Sequence, residues 1–215
     1  MARPALSKRR LFGIDRSGGP PPQTRSDQPL NPWTIPNAIG YVRLAGIPVF
    51  LVLALSSSDG QDLAAVLLFA AIGWADYLDG FAARLTGQYS RLGALLDPIV
   101  DRLLIVSGLV VAFHFSLLPR WAIVLAVVRE LFMLVISRYG LSRGLELNIN
   151  WFGRIGVAPT MGAPFFAMCG VHWLALIMLY VGLALSLTAT ALYVRRGIQQ
   201  VRARHRGVSD GRGHG

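Results

Sequence analysis

Four aspartates stand in the stretch DYLDGFAARLTGQYSRLGALLDPIVD, residues 76 to 101, at positions 76, 79, 97 and 101. A carboxylate can bind a hard cation, carry a proton or pair with a basic side chain. Asp76 and Asp79 are three residues apart and Asp97 and Asp101 four apart, so on helices each pair shares one face. Two antiparallel helices could then aim all four carboxylates at one place. No His or Cys accompanies them, because His114, His172, His205 and His214 lie elsewhere without ligand spacing. An oxygen-only set of this kind suits Mg2+ or Mn2+. Arg84, Arg91 and Arg102 are nearby cations that could pair with some of the acids, although Arg102 lies about 100 degrees around a helix from Asp101.

Small residues punctuate the same stretch. Gly80 follows Asp79, Ala83 lies one turn on, and Gly93 lies four residues before Asp97. In membrane helices such residues serve close packing, and beside acids they also clear room for a ligand. Arg84 can reach a phosphate oxygen, so the combination describes a slot for a phosphorylated ligand.

The elements that carry these residues are mostly apolar. Of 215 residues, 53% are hydrophobic and 15% charged, with mean hydropathy +0.50. A soluble domain carries about 25% charged residues, so the balance points to an all-α integral membrane protein. Six apolar segments are expected as spans: 39–55, 63–85, 93–115, 119–139, 155–170 and 172–194. The fifth is interrupted by Pro159 and Pro164, and its loss would leave five.

Charge supports six. Of the 21 Lys and Arg, 12 lie in residues 1–30 and 195–215, six in each tail. Arg84, Arg91, Arg138, Arg143 and Arg154 fall on the side of the tails when six spans are drawn, whereas the opposite loops contribute one Arg. The positive-inside rule then puts both termini, and the acidic motif, on the cytoplasmic side. The domains expected are a disordered basic tail over 1–30, a membrane domain over 31–194 and a basic tail over 195–215. Beside membrane spans, basic tails fit anionic head groups better than nucleic acid. Residues 1–30 hold no apolar run of secretory-signal length. Cys169 is the single cysteine, so no intrachain disulfide forms, and it reads as a small buried hydrophobe.

Asp76, Asp79, Gly80, Ala83, Arg84, Gly93, Asp97 and Asp101 match D-x2-D-G-x2-A-R-x8-G-x3-D-x3-D throughout, which resembles the signature of the CDP-alcohol phosphotransferases. IPNAIGYVRLAGIPVF at 35–50, with Asn37 and Arg43, is similar to that family's opening helix, and the likeness covers about 33–194. The resemblance implies a membrane enzyme that moves a substituted phosphoryl group from a CDP-linked donor to an alcohol and releases CMP. It implies two divalent ions, Mg2+ or Mn2+, held by Asp76, Asp79, Asp97 and Asp101. It also implies a CDP site lined by Asp76, Gly80, Ala83, Arg84 and Gly93, with Asp101 as the general base.

The C-terminal half resembles the bacterial branch that makes phosphatidylglycerophosphate from CDP-diacylglycerol and glycerol 3-phosphate, together with cardiolipin synthases that use phosphatidylglycerol. Glycerol 3-phosphate is the first acceptor expected and phosphatidylglycerol the alternative, with inositol phosphate behind them. Arg129 and Glu130 match the start of an R-E-x7-R segment, but the second Arg falls on Ser137, with Arg138 one residue late. A basic G-K-x-K-T segment is represented by Gly153, Arg154, Ile155, Gly156 and Val157, with one cation in place of two. Arg129, Arg138, Arg143 and Arg154 remain candidates for an acceptor phosphate, or serve topology. The branch further implies the bacterial plasma membrane and a homodimer. Two rivals stand outside enzymology: a transporter, although no second copy of the motif appears, and a scaffold that uses the acids for helix pairing.

Overall fold

The computed structural model describes residues 30–142 and 151–210, and these hold six α-helices and no strand. They are α1 (Ile35–Ser56), α2 (Leu63–Thr86), α3 (Arg91–His114), α4 (Arg120–Ser142), α5 (Trp151–Met168) and α6 (His172–Asp210). All six expected segments are helical. The fifth is unbroken although Pro159 and Pro164 lie inside it, as Pro48 and Pro98 lie inside α1 and α3. Each such proline removes one backbone donor, which a helix packed among others tolerates.

Local chemistry sets the ends nearest the acidic motif. Thr34 caps α1 by accepting from Asn37 N, with Pro36 in the first turn, where its missing N–H costs nothing. Asp62 caps α2 by accepting from Ala65 N at 2.8 Å. Gly87 ends α2 in the left-handed region at φ 66°, which a side chain would oppose. Ser90 begins α3, its Oγ accepting from Gly93 N at 2.9 Å. These stops hold the turn between α2 and α3 to a few residues and bring the two acidic ends together.

Three helical segments among the described residues are long and apolar enough to cross a membrane: Ile35–Ser56, Leu63–Thr86 and His172–Arg195. The outward faces agree, since Val42, Val49 and Val52 on α1 and Leu63, Leu67 and Trp74 on α2 are exposed. An exterior of this kind suits lipid better than water. α3 and α4 are helices of similar length that carry more ionisable groups, among them Asp97, Asp101 and Arg102 on α3 and Arg129 and Glu130 on α4. α6 continues beyond Val194 to Asp210, so part of the expected basic tail is helical. The expectation for residues 1–29 lies outside the described residues. Cys169 is exposed in the turn after α5 rather than buried, because Gly170 at φ 76° closes that helix just beyond it.

The chain forms two compact units, the first ending at Val111 and the second starting at Ala112. In the first, Ile47, Phe50 and Ala54 of α1 bury against Ala65, Val66, Phe69 and Ile72 of α2, with the Phe50 and Phe69 rings 5.1 Å apart. In the second, α5 meets α6 at Gly182, where a Cβ would come within 2.7 Å of Thr160 Oγ1. Trp121 of α4 lies against Tyr180 of α6.

Candidate active site

Arg43 of α1 is buried to 1% exposure in a helix that is otherwise almost wholly apolar. A guanidinium in such a place must have its N–H groups satisfied by the protein. Its Nε donates to the carbonyl of Ile72 at 3.1 Å. Nη1 donates to Asp76 Oδ1 and Asp79 Oδ2, each at 3.0 Å, and Nη2 donates to Asp101 Oδ1 at 2.5 Å. One planar fork therefore gathers three of the four aspartates from two helices.

The carboxylates differ in access. Asp79 is 7% exposed, Asp101 33% and Asp76 47%, so the cluster is closed at Asp79 and open at Asp76. Asp97 is partly buried and within Coulombic range of the other three aspartates and of Arg43. One guanidinium cannot neutralise four ionised carboxylates, and the open side admits further positive charge or a phosphate ligand that carries its own cations.

Whether this donor set fits a divalent metal can be tested on the geometry. Its chemistry fits: carboxylate oxygens alone, three of them already gathered within hydrogen-bonding distance of one cation. Among the described residues, however, no group of three or more His, Cys, Asp or Glu side chains closes on a common point as bound metal requires. Asp76, Asp79 and Asp101 close on Arg43 instead. Each gives the fork one oxygen and has a second.

The small residues of the motif do different things. Gly80 lies under Arg84, where an added Cβ would stand 3.4 Å from Arg84 Nη1. Ala83 is buried one turn along the same helix. Gly93, expected to clear room beside Asp97, clears it for Asn37: a Cβ there would come within 2.6 Å of Asn37 Oδ1 and 3.1 Å of Ser90 Oγ. Asn37 is buried, donates through Nδ2 to the carbonyls of Asn31 and Pro32, and accepts from Ser90 Oγ at 2.8 Å. That amide ties the start of α3 to the start of α1.

The candidate acceptor residues lie in the second unit. Arg129 donates from Nη1 to Glu130 and from Nε to Thr190 Oγ1 of α6 at 3.0 Å, so much of its fork is engaged within the protein. The side chains of Arg138 and Arg154, and Arg143 altogether, lie outside the described residues.

Sequence reasoning named Arg43 only for its place in a familiar helix and looked to Arg84, Arg91 and Arg102 for counter-charge. A signal was present: a lone arginine in an apolar span needs a partner, and acids on neighbouring spans are the available ones.

The motif spacing is thus realised as a convergent cluster. The profile of the CDP-alcohol phosphatidyltransferase family matches residues 33–190. The chain belongs to that family. Among curated relatives, a CMP-forming cardiolipin synthase of Streptomyces coelicolor is 37% identical over 177 residues, covering 78% of this chain and 81% of the relative. A probable phosphatidylglycerophosphate synthase of Mycobacterium tuberculosis is 31% identical over 173 residues, covering 77% and 82%. A CDP-diacylglycerol–glycerol-3-phosphate 3-phosphatidyltransferase of Bacillus subtilis is 29% identical over 142 residues, covering 60% and 69%. As a CDP-alcohol phosphatidyltransferase, the chain is an enzyme, and the acidic cluster of α2 and α3 is its candidate active site.

Proposed function

We propose that this enzyme makes phospholipid by transferring the phosphatidyl group of CDP-diacylglycerol to the hydroxyl of a glycerol-type acceptor, releasing CMP. The observation that carries the proposal is the convergence of Asp76, Asp79 and Asp101 from two helices, beside Gly80 and Arg84, within a chain of this family. In the reaction, the acceptor oxygen attacks the phosphorus that bears the diacylglycerol. A new P–O bond forms, the pyrophosphate P–O bond breaks, and CMP departs with that bond's electron pair.

Asp101 takes the proton from the attacking hydroxyl. It stands a third exposed at the edge of the cluster, where a hydroxyl can approach. Arg84 and the bare backbone at Gly80 receive the donor's phosphates, and Ala83 and Gly93 complete the lining inferred for that site. Asp76, Asp79 and Asp97, with Asp101, would hold two Mg2+ or Mn2+ ions. When bound, such ions neutralise the pyrophosphate and the departing CMP.

Two acceptors compete. Glycerol 3-phosphate is a small dianion that calls for clustered cations, yet Ser137 and Gly156 stand where further basic residues were expected, and Arg129 is engaged with Glu130 and Thr190. The Streptomyces coelicolor synthase is also more similar over a comparable length than the Mycobacterium tuberculosis one. These observations favour phosphatidylglycerol, with cardiolipin as product. Arg129, Arg138 and Arg154 are the proposed contacts for the acceptor phosphate. All six helices span the bacterial plasma membrane with both termini cytoplasmic, and the enzyme works as a homodimer among anionic lipids. Purified protein supplied with CDP-diacylglycerol, Mn2+ and either acceptor, followed by mass spectrometry of the lipid product, tests the choice. Cardiolipin supports the preferred acceptor, whereas phosphatidylglycerophosphate alone reverses the order.

A further inference from the structure

We infer that Arg43 is a positioning residue for the metal-binding carboxylates, acting through the shape of its fork rather than through its charge; the inference rests on the metal-dependent reading above. Three helices meet at this side chain. It starts on α1, takes the backbone carbonyl of Ile72 and the carboxylates of Asp76 and Asp79 on α2, and takes Asp101 on α3. Four hydrogen bonds from one guanidinium fix the separation and rotation of the two acidic helices at the level of the site.

The Ile72 bond matters to the argument. A guanidinium that merely supplied counter-charge would need only carboxylates, and it could turn among them. Anchored through Nε to the backbone one turn before Asp76, the fork has a fixed orientation, so Nη1 and Nη2 point in set directions. Each carboxylate is then held by one named oxygen, Asp76 Oδ1, Asp79 Oδ2 and Asp101 Oδ1. Partners that orient metal ligands in this way typically contribute 10 to 100-fold to metal affinity or activity. A lysine at 43 would keep the charge but is a point donor on a flexible stem, unable to hold Ile72, α2 and α3 together. Charge alone would make the two residues equivalent.

Arg43→Lys is therefore the informative variant, because the formal charge of the cluster is unchanged. The full chain is purified in lipid nanodiscs without metal, and Mn2+ binding is followed by electron paramagnetic resonance, beside thermal unfolding of the metal-free protein. Phe50→Ala serves as the comparison, since it loosens the same helix pair through the Phe50 and Phe69 contact without touching the fork. Arg43→Lys is expected to weaken Mn2+ binding by about tenfold or more, while Phe50→Ala lowers the unfolding temperature and keeps wild-type affinity. Affinity in Arg43→Lys within about twofold of wild type, or an equal loss in Phe50→Ala, overturns the positioning role and leaves the proposed reaction intact. Failure of the wild type to bind Mn2+ at all overturns the metal reading and this inference with it. Should Arg43→Lys prove too unstable to purify, Arg43→Gln is measured with and without added methylguanidinium and, separately, methylammonium: recovery of Mn2+ affinity by the guanidinium alone supports the fork, and equal recovery by both overturns it.

Discussion

Gly93→Ala offers a sharp test of how the acidic helices are joined. The added methyl would stand 2.6 Å from Asn37 Oδ1, well inside van der Waals contact, and 3.1 Å from Ser90 Oγ. Asn37 cannot swing aside freely, because it is 1% exposed and its Nδ2 is held by the carbonyls of Asn31 and Pro32. Overpacking at such a site costs about 2 kcal/mol. Breaking the Ser90 to Asn37 hydrogen bond and stranding a buried acceptor costs about 2 kcal/mol more. Alanine returns at most about 1 kcal/mol of helix propensity, leaving a net loss of about 3 kcal/mol.

A double-mutant cycle with Asn37→Ala, read by reversible unfolding in mixed micelles, isolates the collision. Asn37→Ala is itself destabilising, since it strips two carbonyls of their donor, but in that background Gly93→Ala should cost nothing further. The coupling between the two positions should approach about 3 kcal/mol. An equal cost of Gly93→Ala with and without Asn37 would refute the packing role. It would return Gly93 to the nucleotide site alone.

Gly182→Ala should destabilise the second unit by about 2 kcal/mol, because its Cβ would lie 2.7 Å from Thr160 Oγ1 and 2.9 Å from Thr160 N; Thr160→Ala should relieve only part of this, as melting of the paired variants would show. Chelation with EDTA should abolish CMP release and leave helix content by circular dichroism unchanged, since Arg43 still holds the cluster; restoration by Mn2+ or Mg2+ but not Ca2+ would reflect the tighter octahedral demand of the smaller ions. Arg129→Ala should raise KM for the acceptor more than tenfold while KM for CDP-diacylglycerol stays within about twofold, if that residue contacts the acceptor phosphate. An unchanged acceptor KM would confine Arg129 to its bonds with Glu130 and Thr190.

Much of the helical layout was legible because the end signals are local. Asp62 and Gly87 bracket α2 within a residue of the expected 63–85, and α6 begins at His172 as expected. Less legible was where helix outlasts hydropathy: α5 starts at Trp151 rather than Ile155, and α6 continues through the basic residues after Val194. Arginine is a good helix former, so the loss of apolar character there ended the expected span without ending the helix. The same distinction separates six helices from the three segments apolar enough to cross a membrane.

At the site, helical periodicity was enough to pair Asp76 with Asp79 and Asp97 with Asp101. It could not show that Arg43, 58 residues from Asp101, would be the side chain that joins the pairs. Nor could it show that the room beside Gly93 belongs to Asn37, 53 residues before its partner Ser90. Such contacts depend on how α1 lies against α2 and α3, which no pattern within one helix encodes. The motif carried the reaction class, and the reason for two of its neighbours became visible only in three dimensions.

The most direct measurement is CMP release from CDP-diacylglycerol by purified protein with Mn2+, compared between wild type and Asp101→Asn. Wild type should release CMP in step with a new phosphatidyl product, and only when a glycerol-type acceptor is present. Asp101→Asn, folded and inserted, should lose about 10²–10⁴-fold in turnover for want of a proton acceptor. No CMP with any acceptor, or a variant as active as wild type, would contradict transfer at this aspartate cluster.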